Sequence, residues 1–298
     1  MKHLLEMDDL SEADLAAILD LCDPKRAEPV LAGRGVALIF EKPSNRTRNA
    51  SEMAVVGLGG HPVSIRGEEI GLGVRETVDD VTRVLARYHA IIGARVFDHA
   101  WLEEMAAVDE IPIVNLLSDV AHPTQIVADL LTLQQRWGAV AGRSVAWLGD
   151  GNNVARSLVL GCALAGVSVR LACPAGHWVD PIAVDAARSR GIEVVETDRP
   201  EEAVAGADAV YTDVWVSMGQ EAESAAREDA FAGYRVTSSL MEKASPGALF
   251  LHCLPAHRGL EVDAAVIDGP ASVVWDQAGN RMHAARAIFQ RVMSEAQP

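Results

Sequence analysis

Short apolar runs alternate with amphipathic stretches along almost the whole chain. Val36 to Phe40, His61 to Ile65, Ala90 to Ala94 and Ile111 to Leu117 are compact and bounded by turn residues, the pattern of buried strands. Helical spacing fills the intervals, and from Thr77 to Tyr88 it predicts Val78, Val81, Val84 and Leu85 on one face. Near the start, Ser11-Glu12-Ala13-Asp14 has the form of a capping box, with Leu15, Ile18, Leu19 and Cys22 following at helical spacing. A second series of strands is predicted at Ser144 to Leu148, Val167 to Ala172, Ile192 to Val195, Ala209 to Thr212, Ala248 to Leu251 and Ser272 to Trp275. A long helix, about Pro123 to Trp137, separates the two series and stops at Gly138-Ala139-Val140-Ala141-Gly142. The pattern predicts an α/β protein with two doubly wound parallel-sheet domains joined by interdomain helices, divided at 1–133 and 134–279. In open sheets of this kind ligands sit beyond the carboxyl ends of the strands, which sets the active site in the cleft between two such edges.

Chemistry gathers at those ends. After the first strand comes Glu41-Lys42-Pro43-Ser44-Asn45-Arg46-Thr47-Arg48, where hydroxyl and guanidinium donors surround a helix start near Ser44. Free N–H groups and the positive end of a helix there form an anion trap, suited to phosphate. Ala121-His122-Pro123-Thr124-Gln125 ends another strand-like run, and Leu251-His252-Cys253-Leu254-Pro255-Ala256-His257-Arg258-Gly259 a third. His122 before a proline at the first helical position is compatible with a purely structural role, but Gln125 three residues on lets both side chains point the same way.

Charge sharpens the picture. The chain of 298 residues carries a formal net charge of −16, which argues against a nucleic-acid or anionic-membrane binder and opposes the approach of a phosphate. Affinity for such a ligand must come from a local cluster of Arg46, Arg48, Arg95, His122 and Arg281, gathered only by the fold. Hydrophobic residues at 49% and charged residues at 23% are globular proportions. No apolar run approaches the ~20 residues of a membrane span, and Met1-Lys2-His3 leads into acidic residues, so a cytoplasmic protein without membrane association is expected. Cys22, Cys162, Cys173 and Cys253 form no Cys-x-x-Cys pair, which suits reduced thiols.

The phosphate, His-Pro and His-Cys-Leu-Pro segments together resemble the aspartate/ornithine carbamoyltransferase family. Within it, Asp150-Gly151-Asn152-Asn153 and Asp213-Val214-Trp215-Val216-Ser217-Met218-Gly219 resemble the ornithine branch, with all five motifs in order across nearly the whole chain. The resemblance implies transfer of the carbamoyl group of carbamoyl phosphate to the δ-amine of L-ornithine, giving L-citrulline and phosphate, without metal or organic cofactor. It implies that 1–133 bind carbamoyl phosphate, that 134–279 bind ornithine and that a helix within 280–298 returns to the first domain. Ser44, Asn45, Arg46 and Thr47 would hold the phosphate, with Arg281 completing the anion site. Thr47, Arg95 and His122 would polarise the carbonyl and Gln125 position the carbamoyl amide. On the acceptor side the implied residues are Asn153, Asp213, Ser217, Met218, Cys253 and Leu254, with Cys253 and the Leu254 backbone steering the amine. A homotrimer is also implied.

Three departures from the family pattern stand out: Asn45 in place of a threonine, Asn49-Ala50-Ser51-Glu52 in place of the usual x-Ser-Phe-Glu, and Gly71 where a glutamine or histidine often reaches a neighbouring subunit. Arg66 or Arg75 would compensate for the last or remain solvated loop charges. A nicotinamide dehydrogenase is the main competing enzyme, but Val154 stands at the third glycine of the turn after Leu148, and no acidic residue ends the run Val167 to Cys173. His252, Cys253 and His257, broken by Pro255, do not make a tetrahedral zinc pattern; His252 is expected in the core and His257 on the surface. A carbamoyltransferase for another amine and a noncatalytic binding protein are the remaining alternatives.

Overall fold

The computed structural model describes residues 1–216 and 221–296. The chain divides into two compact units, Met1–Leu131 together with the segment from Gly279 onward, and Thr132–Ala278. Helices Pro123–Trp137 and Val274–Ala296 carry the chain across the division.

The first unit is built on β1 (Gly35–Phe40), β2 (His61–Arg66), β3 (His89–Arg95) and β4 (Ile113–Leu117), in the order β2-β1-β3-β4. All pairs are parallel. Parallel strands are covered on both faces, which is why they read as unbroken apolar runs. On one side Ala37, Ile39, Ile92 and Ala94 meet Val78, Val81, Leu102 and Met105 from the crossing helices. Leu4 adds a parallel bridge to Val114 beside β4. In the second unit β5 (Ser144–Leu148), β6 (Ser168–Ala172), β7 (Val194–Thr197), β8 (Ala209–Thr212) and β9 (Leu249–His252) lie in the order β7-β6-β5-β8-β9, again all parallel. The α/β class with two parallel-sheet units is thus as the periodicity predicts.

Local signals account for the helix starts. Ser11 caps Glu12–Leu21 in a reciprocal capping box with Asp14, Thr77 caps Val78–Ala86, and Ser44 caps Asn45–Gly57 by accepting from Thr47 N. Two expectations need correction. Val84 is 47% exposed and off the buried face, because it lies six residues, about 240° around the helix, from Val78. Thr82 takes the inner position and its hydroxyl donates to Val78 O at 2.7 Å. Ser272 to Trp275 is not a strand: Ser272 makes one bridge to Phe250, and the helix Val274–Ala296 begins two residues later. A four-residue apolar run does not distinguish strand from helix, and Asp276 in the first turn favours the helix through its dipole.

Each sheet reverses its winding at one place. In the first unit β2 and β3 leave β1 on opposite sides, and in the second β6 and β8 leave β5 on opposite sides. The carboxyl ends of β1 and β3, and of β5 and β8, are therefore the crevices where such sheets bind ligands.

Candidate active site

Beyond β1 and β3 the first unit gathers cations on one hydroxyl. Thr47, buried in the first turn of its helix, receives Arg281 Nη2 at 2.7 Å and Arg95 Nη1 at 3.4 Å on its Oγ1. Arg281 Nη2 also lies 3.3 Å from Nε2 of His122, which is buried just before helix Pro123–Trp137. Guanidinium groups only donate, so Nε2 accepts here, and the proton of the neutral ring sits on Nδ1, 3.4 Å from Thr124 Oγ1. Burial, then the charges of Arg281, Arg95 and Arg46, hold the His122 pKa well below that of an ordinary imidazole. Three arginines therefore surround a ring that stays neutral, an arrangement that favours anions and can present an uncharged N–H to a carbonyl oxygen.

The phosphate-type turn is partly engaged with itself. Ser44 Oγ accepts from Thr47 N at 3.2 Å, leaving the hydroxyl proton and the preceding backbone N–H groups of the helix start to face an anion. Asn49 Nδ2 donates to Asn45 Oδ1 at 3.0 Å, which ties up the oxygen of Asn45 and turns its amide into a donor. The two departures at 45 and 49 thus act as a pair. Arg48 is turned away in an exposed ion pair with Glu52. Gln125, fully buried, donates Nε2 to Asp129 Oδ1 at 2.8 Å.

Beyond β5 and β8 the second unit makes a different group. Asn152 caps helix Asn153–Leu164, its Oδ1 accepting from Val154 N and Ala155 N, while its Nδ2 donates to Asp213 Oδ2 at 3.0 Å. Asp213 Oδ1 accepts from Val214 N at 2.8 Å and from the Cys253 thiol at 2.8 Å. Half-buried Asn153 stands at the first helical position beside them. Gly151 is required here, since a Cβ would lie 2.3 Å from the backbone of Trp178. Ser217 and Met218 lie outside the described residues. Trp215 is buried and stacks on Phe231.

The turn after β9 is fixed by a buried relay. His252 Nε2 meets Glu261 Oε1 at 3.2 Å, and His252 Nδ1 accepts from Leu254 N at 2.9 Å. Leu254 sits at φ +60° before a cis bond to Pro255. Its N–H is spent on His252, so the Leu254 backbone can offer an amine only its carbonyl. His252 is in the core, while the His257 side chain is 55% exposed. Ligand atoms of Asp213, His252 and Cys253 lie within 4.8 Å of one another. The hydrogen bonds above already use both His252 nitrogens and both Asp213 oxygens, so this cluster is explained without a metal. Cys22, Cys162, Cys173 and Cys253 are thiols, with no disulfide between them. Gly71 closes a short helix at φ +65°, and a Cβ there would lie 2.9 Å from that of Arg75; a side chain at that position is disfavoured by the backbone itself. Arg66 pairs with Glu68 and Glu69 in the open.

Asp129 and Glu261 were not singled out by the sequence, and Thr124 and Asn152 only as members of quoted motifs. Asp129 follows Gln125 by one helical turn, Asn152 precedes a helix as caps do, and Glu261 interrupts Leu260-Val262; only those local signals mark them.

Residues 2–135 match the carbamoyl-P binding domain, and residues 141–292 the Asp/Orn binding domain, of aspartate/ornithine carbamoyltransferase. The fold and these two matches define a carbamoyl-group transferase. The chain belongs to the aspartate/ornithine carbamoyltransferase family. It is 46% identical to an ornithine carbamoyltransferase of Parafrankia sp. strain EAN1pec over 99% of this chain and 96% of that one. Among solved structures it is similar to the ornithine carbamoyltransferase of Pyrococcus furiosus, with TM-score 0.94, 40% identity and coverage of 98% and 97%. The Thermus thermophilus enzyme gives TM-score 0.90 and 43% identity, covering 98% of this chain and 99% of that one. The second match runs to 292, whereas the compact units place the chain from Gly279 with the first. The contacts of Arg281 with Thr47 and of Arg286 with Cys22 O favour the latter grouping.

Proposed function

We propose that the protein is an ornithine carbamoyltransferase, moving the carbamoyl group of carbamoyl phosphate to the δ-amine of L-ornithine. The observation that carries this is the meeting of Arg95 and Arg281 on Thr47 beside neutral His122, with Arg46 in electrostatic reach. Ser44, Asn45, Arg46, Thr47 and Arg281 hold the phosphate, a dianion matched by guanidinium forks and a helix start. The neutral amine attacks the carbonyl carbon, forming the C–N bond as the C–O bond to phosphate breaks. The departing phosphate takes the proton lost by nitrogen. Thr47, Arg95 and His122 stabilise the negative carbonyl oxygen in between. For His122 to donate from Nε2, Arg281 must release that nitrogen and the ring proton must move to it. Phosphate, by drawing the guanidinium to itself, favours both.

On the acceptor side Asn153, Asp213, Ser217 and Met218 bind the amino-acid end, with Asp213 opposite the α-ammonium. Cys253 and the Leu254 carbonyl direct the δ-amine toward the carbonyl carbon. The residues 1–133 with 280–298 form the carbamoyl-phosphate domain and 134–279 the ornithine domain, and no metal or organic cofactor takes part. A cytoplasmic homotrimer completes the proposal. Free thiols support the reducing location. Sedimentation would report the trimer as a threefold mass. No helix among the described residues is long and apolar enough to cross a membrane.

An acceptor panel tests the assignment. With carbamoyl phosphate, ornithine should be carbamoylated, whereas aspartate should not react and putrescine, lacking the α-carboxylate, should react poorly. Efficient use of putrescine would point to a different amine acceptor.

A further inference from the structure

Gln125 and Asp129 lie one turn apart on helix Pro123–Trp137, and both are wholly inaccessible to solvent. Gln125 Nε2 donates to Asp129 Oδ1 at 2.8 Å. A carboxylate only accepts, so the amide of Gln125 has one permitted orientation: its NH2 faces Asp129 and its carbonyl oxygen faces the other way. The reverse orientation would bring two buried oxygens together with no proton between them. Gln125 Oε1 is buried with no hydrogen-bond partner among the described residues. Its backbone N–H, meanwhile, bonds to His122 O at 3.0 Å, so the amide rises from the same first turn that carries the buried imidazole.

We propose that Asp129 is a positioning residue that sets the donor specificity: by fixing the Gln125 amide it presents a pure acceptor to the acyl end of the donor, selecting a carbamoyl group over an acetyl group. This rests on the proposed function, in which Gln125 contacts the carbamoyl amide. Carbamoyl phosphate and acetyl phosphate carry the same phosphate and similar bulk. They differ in NH2 against CH3. An acceptor oxygen held in a dry site is satisfied by the first and left unpaired by the second, and unpaired buried acceptors are what make such sites discriminating. Were Gln125 free to turn, its NH2 would face the ligand and that discrimination would vanish.

The test compares KM for carbamoyl phosphate with the inhibition constant of acetyl phosphate in the full-length protein and in Asp129→Asn, whose side chain can donate as well as accept. The ratio favouring carbamoyl phosphate should fall about tenfold in the variant, while affinity for inorganic phosphate stays within about twofold. In a Gln125→Leu background, adding Asp129→Asn should leave the ratio unchanged, since Asp129 sets the ratio through the Gln125 amide. Asp129→Ser, whose hydroxyl also donates and accepts, gives the same readout should the Asn variant not fold. An unchanged ratio in Asp129→Asn or Asp129→Ser, with or without weaker phosphate binding, overturns the role of Asp129. A parent protein that forms no citrulline contradicts the proposed function instead, so the two failures are distinct.

Discussion

Arg281→Gln should leave the protein about as stable as before yet much less responsive to phosphate. Arg281 Nη2 and Arg95 Nη1 reach the same Thr47 oxygen at 2.7 and 3.4 Å, so these two cationic nitrogens are no more than about 6 Å apart. At an effective dielectric near 20 their repulsion is about 3 kcal/mol. The charge-assisted hydrogen bond from Arg281 to Thr47 contributes roughly 1.5 to 3 kcal/mol in the opposite sense. Among these three groups, loss of the guanidinium is close to neutral in the ligand-free protein. With phosphate present the balance changes, because the dianion attracts all three arginines and the same 1.5 to 3 kcal/mol is then lost, roughly a 10- to 100-fold weaker complex. At a phosphate concentration about 100 times the parent's Kd, the parent gains about 2.7 kcal/mol, whereas a variant with a 10- to 100-fold weaker Kd gains only about 1.4 to 0.4. Thermal melts with and without phosphate, supported by calorimetry, read both numbers. An equal gain in parent and variant would refute the anion-site role of Arg281. A loss of several kcal/mol without ligand would show that Arg281 is structural.

His122→Ala should lower turnover by roughly a hundredfold with a smaller change in carbamoyl phosphate affinity, as for loss of one oxyanion donor; unchanged turnover in a steady-state assay would return His122 to a structural role. Because the folded His122 pKa lies below its unfolded value, the unfolded chain binds the extra proton. Its stabilising effect is complete above about pH 6.5 and declines as pH falls below that value, so urea melts should show a shallower acid decline in His122→Gln. Asp213→Asn should weaken ornithine by about 2 to 5 kcal/mol, since a buried α-ammonium would lose its counter-charge, while carbamoyl phosphate binding measured by calorimetry stays nearly constant. Indifference of ornithine affinity to that change would remove Asp213 from the ammonium site.

The fold was legible because parallel strands buried on both faces are apolar throughout, and because Ser11, Ser44 and Thr77 mark helix starts with side chains that cap them. Legibility failed where a run was too short to carry a period, as at Ser272 to Trp275, or where one apolar residue fell off the stripe, as at Val84. Thr47, Arg95, His122 and Arg281 could be named from the family resemblance, but the meeting of Arg95 and Arg281 on the Thr47 hydroxyl, with His122 beside Arg281, depends on a contact 234 residues apart in the chain. The roles of Asp129, Asn152 and Glu261 were hidden for a different reason. Each acts by orienting another polar side chain, Gln125, Asp213 and His252 respectively, and spacing along the chain does not show which buried amide or imidazole needs a partner.

One labelled turnover measures directly the transfer of a carbamoyl group from phosphate oxygen to the δ-nitrogen of ornithine. The purified protein, given carbamoyl phosphate labelled with ¹³C at the carbonyl and ornithine labelled with ¹⁵N at the δ position, should yield citrulline whose ureido carbon is coupled to that nitrogen, with one phosphate released per citrulline. Phosphate release without the coupled carbon, or a ¹³C-carbamoyl group on the α-nitrogen, would rule out that transfer.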